Sequence, residues 1–353
     1  MSFEDGWAAI NLEKPARIPH YEPSAESYHW DLIHAVTGID VNVDSDSELQ
    51  FHAMKEFIKA WNYDIYFGVA VYGDIFAAKS TFMGHAEYAQ QGRDFALPTP
   101  CPFATPEEAL ALDFFSTYGR HDHAALVKMF NDHYSRQCRD FPTVVNTTGI
   151  YPTLISALIF IFGWDMLLTM AGTDPQAFGK LCDRCADWMQ QYYDAVAECD
   201  APVLYCHDDM VWTEGPFLDP DFYRAHVFPN IKRMWAPAVE AGKKVLFMCD
   251  GDYTQFARNI ADCGCAGFWF ECFTDLKYMT EMFGQTHVII GNGDCRPLTF
   301  GTKDDIRAEV QRCISLGRDC PGYFMCISGH IPPNVPVENA LYYYDIYTEL
   351  SRR

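Results

Sequence analysis

Lys244-Val245-Leu246-Phe247-Met248-Cys249-Asp250-Gly251-Asp252 is the stretch whose reading decides the fold. A short apolar run that stops abruptly on a thiol, an acid and a glycine is the pattern of a strand buried on both faces, delivering reactive groups at its carboxyl end. The design recurs downstream. Gly267-Phe268-Trp269-Phe270-Glu271 ends on a carboxylate, and Gly322-Tyr323-Phe324-Met325-Cys326 ends on a second thiol. Three strands tipped by Cys249, Glu271 and Cys326 offer soft or anionic ligands to one divalent metal. Zinc takes thiolate, imidazole and carboxylate donors, and its catalytic sites keep one position open.

Outward from this stretch, strand and helix signals alternate. Strands are predicted at 63–69, 143–149, 202–209, 244–249, 267–271, 287–294 and 322–326, and helices at 48–60, 122–139, 174–199, 219–241, 253–263, 275–283, 302–316 and 337–350. Thr105-Pro106-Glu107-Glu108 carries a helix start, with a capping threonine and proline in the first turn. Alternating βα units give a parallel sheet, and strands that all end in polar groups suit the mouth of a (β/α)8 barrel. The expected fold class is therefore α/β, a TIM barrel forming one domain over residues 1–353. Residues 1–60, with the proline-rich extended run Arg17-Ile18-Pro19-His20-Tyr21-Glu22-Pro23, read as an N-terminal extension. Residues 73–105 read as a lid or insertion loop. A doubly wound open sheet would require a glycine-rich phosphate turn after an early strand, and the sequence has none.

The 353 residues are 49% hydrophobic and 15% aromatic, ample for a large core, and carry a formal charge of −22. That charge repels phosphates, so nucleic acid and anionic membrane are excluded as partners. The N-terminus lacks the basic and apolar regions of a signal peptide, and fourteen cysteines without an export signal fit free thiols in a reducing cytoplasm. Leu154 to Met170 is apolar enough to suggest a membrane span, but Gly163 and Asp165 interrupt it, so a buried helix pair is expected. Cys182-Asp183-Arg184-Cys185 has metal or redox spacing but lies within a helix, where one core and one surface thiol are expected.

From about Asp174 onward the sequence resembles the uroporphyrinogen decarboxylase superfamily, particularly its zinc-dependent corrinoid methyltransferase branch (methylcobalamin:coenzyme M methyltransferases and O-demethylating methyltransferases). The stretches that carry the resemblance are His207-Asp208-Asp209-Met210 with Glu214-Gly215-Pro216-Phe217, Leu246 to Gly251, Gly291-Asn292-Gly293-Asp294, and Pro332-Pro333-Asn334-Val335-Pro336-Val337-Glu338-Asn339. It covers roughly the last 200 residues well and the first 150 loosely. The resemblance implies zinc on Cys249, Glu271 and Cys326, a site layout similar to that of cobalamin-independent methionine synthases. The branch's histidine position falls on Phe247, which cannot bind zinc, so the site either keeps three family ligands or recruits a substitute, for which His207, Asp250 and His330 are the nearby candidates. The decarboxylase proper holds substrate carboxylates with paired arginines, and the corresponding region offers Arg17 alone.

The function expected is a zinc-dependent methyltransferase moving a methyl group between a small methylated substrate, leaning to an aryl methyl ether, and the cobalt of a separate corrinoid protein. The chain lacks a corrinoid-binding Asp-x-His-x-x-Gly signature, so the cobalamin comes on that partner. The expected catalytic residues are Asp209, His207 and Asp250, with Asn292, His330 and Phe247 binding substrate. Asp209 is the expected proton carrier, because breaking a C–O bond places charge on the leaving oxygen. Trp7, Trp30, Trp61, Tyr63, Tyr66, Phe67 and Tyr72 would suit an aromatic lid. The rival readings are a decarboxylating lyase and a non-catalytic binding barrel, and the oligomer is a monomer or dimer.

Overall fold

The computed structural model of the chain describes residues 3–81, 87–88, 94–95 and 100–353. Seven predicted strands are found at β2 (Ile65–Tyr66), β3 (Val145–Asn146, continued by Thr148–Ile150), β4 (Val203–His207), β5 (Lys244–Cys249), β6 (Gly267–Phe270), β7 (Val288–Ile290) and β8 (Tyr323–Phe324). Strands β3 to β8 lie side by side in chain order, all parallel, and β2 pairs in parallel with β3. The extended segment of residues 18–21, written β1, takes the eighth strand position between β8 and β2 and closes the cylinder by isolated bridge contacts. His20 bridges Met325 in parallel just beyond β8, Met325 N–H donates to Pro19 O at 2.9 Å, and Asp64 N–H donates to His20 O at 2.9 Å beside β2. The fold is a TIM barrel with no open edge.

The first strand thus comes from the stretch expected to be an extension, and residues 63–69 supply the second. Pro19 has no N–H to give, so β1 makes fewer ladder bonds than its neighbours and reads weakly as a strand. The barrel's closure is reinforced where Arg17 pairs with Asp64 and Asp5 and donates to the Tyr347 hydroxyl of the last helix. Arg17 is therefore committed to the scaffold. Of the expected lid, residues 82–86, 89–93 and 96–99 lie outside the described residues; Glu87–Tyr88 pairs antiparallel with Asp94–Phe95.

The helices begin where the sequence places caps. Asp46, Thr105, Asp122, Asp174 and Thr302 each accept an N–H of the first turn that follows, and Thr302 with Asp305 completes a capping box. Helix Ile155–Thr173 is the apolar candidate span. Gly163, at φ 71°, breaks it into two pieces, and 61% of its most apolar window is buried within the protein. It is packed as a core helix pair. Cys182 and Cys185 are both buried, because helix Pro175–Ala197 is packed by Phe228–Glu240 and His123–Asp140 and buries a broad face. All fourteen cysteines are free thiols.

Alternation along the strands decides which side chains reach the lumen. Phe247 lies 5.5 Å from the Trp235 ring and 6.0 Å from Tyr253, in the layer between sheet and helices. Its register partners Cys206 and Phe268 face the same way, Phe268 lying 5.0 Å from Phe283. Leu246, Met248 and Asp250 therefore take the opposite face. In the lumen, Tyr21, Phe67, Tyr205 and Trp269 form a plug of touching rings, with centroids 4.8 to 5.6 Å apart.

Candidate functional site

Above the aromatic plug, the carboxyl ends of β4, β5 and β6 deliver one imidazole and three carboxylates. The His207-Asp208-Asp209 run divides by strand parity. Asp208 turns out of the lumen and accepts the N–H groups of Ser156 at 2.6 Å and Leu154 at 3.3 Å, fixing the start of the core helix. Burial raises its carboxyl to about 6 despite those donors. His207 and Asp209 turn inward, with His207 Nε2 and Asp209 Oδ1 3.1 Å apart. The Ser156 hydroxyl accepts the Asp209 N–H at 2.7 Å, and Tyr151 stacks on the His207 ring at 4.1 Å and 18°. Imidazole and carboxylate are both held in place.

The same parity places Asp250 beside this pair. One ligand atom each from His207, Asp209 and Asp250 lie within 4.8 Å of one another. Desolvation first, then repulsion from Asp209 and Glu271, pushes the Asp250 carboxyl well above the usual carboxylate range. Glu271 is raised chiefly by burial and also by Asp209, against the pull of the Gly251 N–H, which donates to it at 3.1 Å, and of His207. On its other side Gly329 leaves so little room that a Cβ there would sit 3.0 Å from Glu271 Oε1. These acids form one electrostatic group.

The thiols stand elsewhere. Cys249 is fully buried and shares the outward face of Phe247 and Phe270; its electrostatic neighbours are Asp209, Asp250 and Asp208 as well as Tyr223 and Tyr253. Burial raises its thiol well above the ordinary range. Cys326 is buried against the Trp269 indole and near Glu22, and its thiol is raised in the same way. Among the described residues Cys249, Glu271 and Cys326 do not form a ligand cluster; His207, Asp209 and Asp250 do. The thiolate-zinc set implied by the resemblance does not fit this arrangement. For Cys249 the physical reason is parity, since Cys249 and Asp250 are consecutive and only one of them can face the lumen.

The expected substrate-binding residues separate as well. Phe247 lies in the helix layer and cannot touch a ligand at the mouth. The Asn292 amide donates to Glu271 O at 3.2 Å and Thr274 O at 2.8 Å, and its carbonyl accepts from Arg312 at 3.1 Å. It positions the turn that carries Glu271. His330 follows Gly329 at the mouth, with its ring 5.4 Å from Tyr28. Of the aromatic lid, Trp61 and Tyr63 belong to the core, Phe67 to the lumen plug, and Tyr72 to the mouth, 4.7 Å from Tyr151.

Sequence reasoning missed Tyr151, Ser156, Phe160 and Trp164. With Ile159 and Asp209 these line a small cavity beside the carboxylate cluster. The signal was present, because Tyr151 lies two residues beyond the predicted strand end at 149 and the others fall along the apolar helix that follows. Larger hollows of about 450 Å³ beside Tyr28 and about 400 Å³ beside His133 include none of the cluster residues.

Comparison with known proteins agrees with this architecture. The family model described as Uroporphyrinogen decarboxylase (URO-D) matches residues 139–350. Uroporphyrinogen decarboxylase of Syntrophotalea carbinolica is 26% identical over 178 residues, 50% of each chain. That of Thermus thermophilus is 26% identical over 172 residues, 49% of this chain and 48% of its own. The chain spans about half the length of the curated relatives it matches. Among solved structures, a methyltransferase from Methanosarcina mazei superposes over 97% of this chain and 96% of its own, with TM-score 0.65 and 15% identity, a likeness of fold. With a family model spanning well over half of its length and a closed eight-stranded barrel of the matching kind, the chain belongs to the uroporphyrinogen decarboxylase family.

Proposed function

We propose that this protein is a methyltransferase, acting in the cytoplasm, that takes a methyl group from a small methylated substrate, an aryl methyl ether in the first instance, and hands it to the cobalt of a separate corrinoid protein. The observation that carries the reading is the His207–Asp209 pair at the barrel mouth, opening on a cavity walled by Tyr151, Phe160 and Trp164. The cavity, about 20 Å³, has room for a methyl-sized group only, so the rings would wall the methyl end of the substrate, and the pair would face the oxygen that carries the methyl. The methyl carbon leaves that oxygen and bonds to cobalt through the cobalt's electron pair. The electrons of the C–O bond stay on oxygen, and a proton passes to it from Asp209, which His207 orients.

Decarboxylation of a polyanionic porphyrinogen is the weaker reading. It would bring several carboxylates to a mouth already holding Asp209, Asp250 and Glu271, where burial first and repulsion after it have raised two of the three. Arg17, the cation expected from sequence to meet them, is bound to Asp64.

The test is absorption spectroscopy of cob(I)alamin mixed with the protein and, in turn, a methoxybenzoate, methanol or trimethylamine. Methylcobalamin formation with the methoxybenzoate is expected. Conversion of uroporphyrinogen to coproporphyrinogen, with no methylcobalamin from any donor, would replace this reading with the lyase.

A further inference from the structure

We propose that His207, Asp209 and Asp250 form a binding site for a divalent first-row metal held by one nitrogen and two oxygens, without thiolate. The inference deepens the proposed methyltransferase reading: with an ion bound, His207 and Asp209 are its ligands and the Lewis acid takes the place of the Asp209 proton on the leaving oxygen; the site itself is argued from geometry.

The three donors come from two adjacent strand ends. His207 and Asp209 are two residues apart, so both face the lumen, and Asp250 follows β5, whose Met248 is in register with His207. Their donor atoms lie within 4.8 Å of one another. Donors bound to one ion at roughly 2.0–2.2 Å stand no more than about twice that distance apart, so small side-chain adjustments are enough to close the set. A hydrogen-bonded acid pair would need only His207 and Asp209. The second carboxylate of Asp250, half-buried beside them with Glu271 near it, adds negative charge that a dication neutralises. The imidazole is fully buried and clamped by Tyr151, as a ligand that must hold one ring orientation requires.

The donor types set the class of ion. Two carboxylates and an imidazole suit Zn2+, Mn2+ or Co2+ bound without sulfur, whereas paired thiolates select zinc by softness. A nitrogen and oxygen set leaves more positive charge on the ion than a thiolate set does. Such an ion is a Lewis acid suited to an ether or hydroxyl oxygen.

Cobalt spectroscopy separates the alternatives with no methyl donor or corrinoid partner, so its outcome is independent of the methyl-transfer assay. The full-length protein is stripped with a chelator and titrated with Co2+ in the absence of oxygen. The expected result is one Co2+ per chain, with visible d–d bands and no near-ultraviolet thiolate-to-cobalt charge-transfer band. Asp250→Asn and His207→Gln are expected to weaken binding at least about tenfold, while Cys249→Ser and Cys326→Ser bind as the parent does. Thermal unfolding checks that each variant is folded; if His207→Gln is not, Asp250→Asn alone carries the comparison. A thiolate charge-transfer band, parent-like binding by Asp250→Asn, or no stoichiometric Co2+ uptake overturns the proposal.

Discussion

Phe247→His tests the strand parity on which the whole site rests. The family resemblance implies a zinc-binding histidine at this position, but the side chain is fully buried, 5.5 Å from Trp235 and 6.0 Å from Tyr253, on the helix side of the sheet. A histidine placed there cannot reach the mouth. It retains part of the ring volume, so it loses only part of the roughly 3–5 kcal/mol that truncating a buried Phe to Ala costs. It also buries two ring nitrogens in an aromatic pocket, at about 1–3 kcal/mol for a group left without a partner. A net loss of about 4 kcal/mol is reasonable. With an unfolding entropy near 2.1 cal/mol/K per residue over 353 residues, about 0.7 kcal/mol/K, the melting temperature should fall by about 5 °C. Differential scanning calorimetry measures the fall, and Co2+ titration of the same sample should give the parent's affinity within twofold. Tighter cobalt binding with a changed visible spectrum would mean that position 247 faces the lumen, and the parity argument would fail with it.

Three further substitutions test other parts of the site. Asp209→Asn keeps an acceptor near His207 but cannot carry a proton, so methyl transfer should fall about a hundredfold in a stopped-flow assay while the melting temperature stays within a few degrees. Asn292→Ala strips donors from Glu271 O and Thr274 O and an acceptor from Arg312, and should cost about 2–4 kcal/mol in urea unfolding; a loss under 1 kcal/mol would deny Asn292 its positioning role. Burial raises the Glu26 carboxyl to about 7, so it stays protonated where the unfolded chain's glutamate ionises, and the associated stability is complete below the ordinary glutamate pKa and lost as pH rises through about 7. Glu26→Gln, which still accepts from Tyr63, should match the parent at pH 4 and exceed it by up to about 3 kcal/mol at pH 8; equal unfolding curves at pH 8 would refute the shift.

What the sequence made legible follows from how each feature is encoded. The βα alternation is written in apolar runs and helix caps; each predicted strand is found, several of them shorter than the apolar run that marks it, and Thr302, Asp122 and Asp174 cap the helices they mark. Strand β1 was harder to read because Pro19 removes a donor and the neighbouring residues make only bridge contacts. The site divides along the same line. His207, Asp209 and Asp250 were singled out as polar groups at strand ends, and those three converge. The metal set was chosen by ligand softness and by offsets along the chain, which count residues but not faces. A parallel strand buried on both sides shows no polar-apolar alternation to reveal which residues look inward. At the end of β5 the difference between Cys249 and Asp250 is one residue, and one residue turns the side chain from the lumen to the helices. Packing against partners far away in sequence resolves the ambiguity: Trp235 claims Phe247, so Cys249 follows it outward, while the inward face shared by His207 and Met248 leads on to Asp250. The donor set offered to the proposed ion changes with that choice, from thiolates to carboxylates and an imidazole.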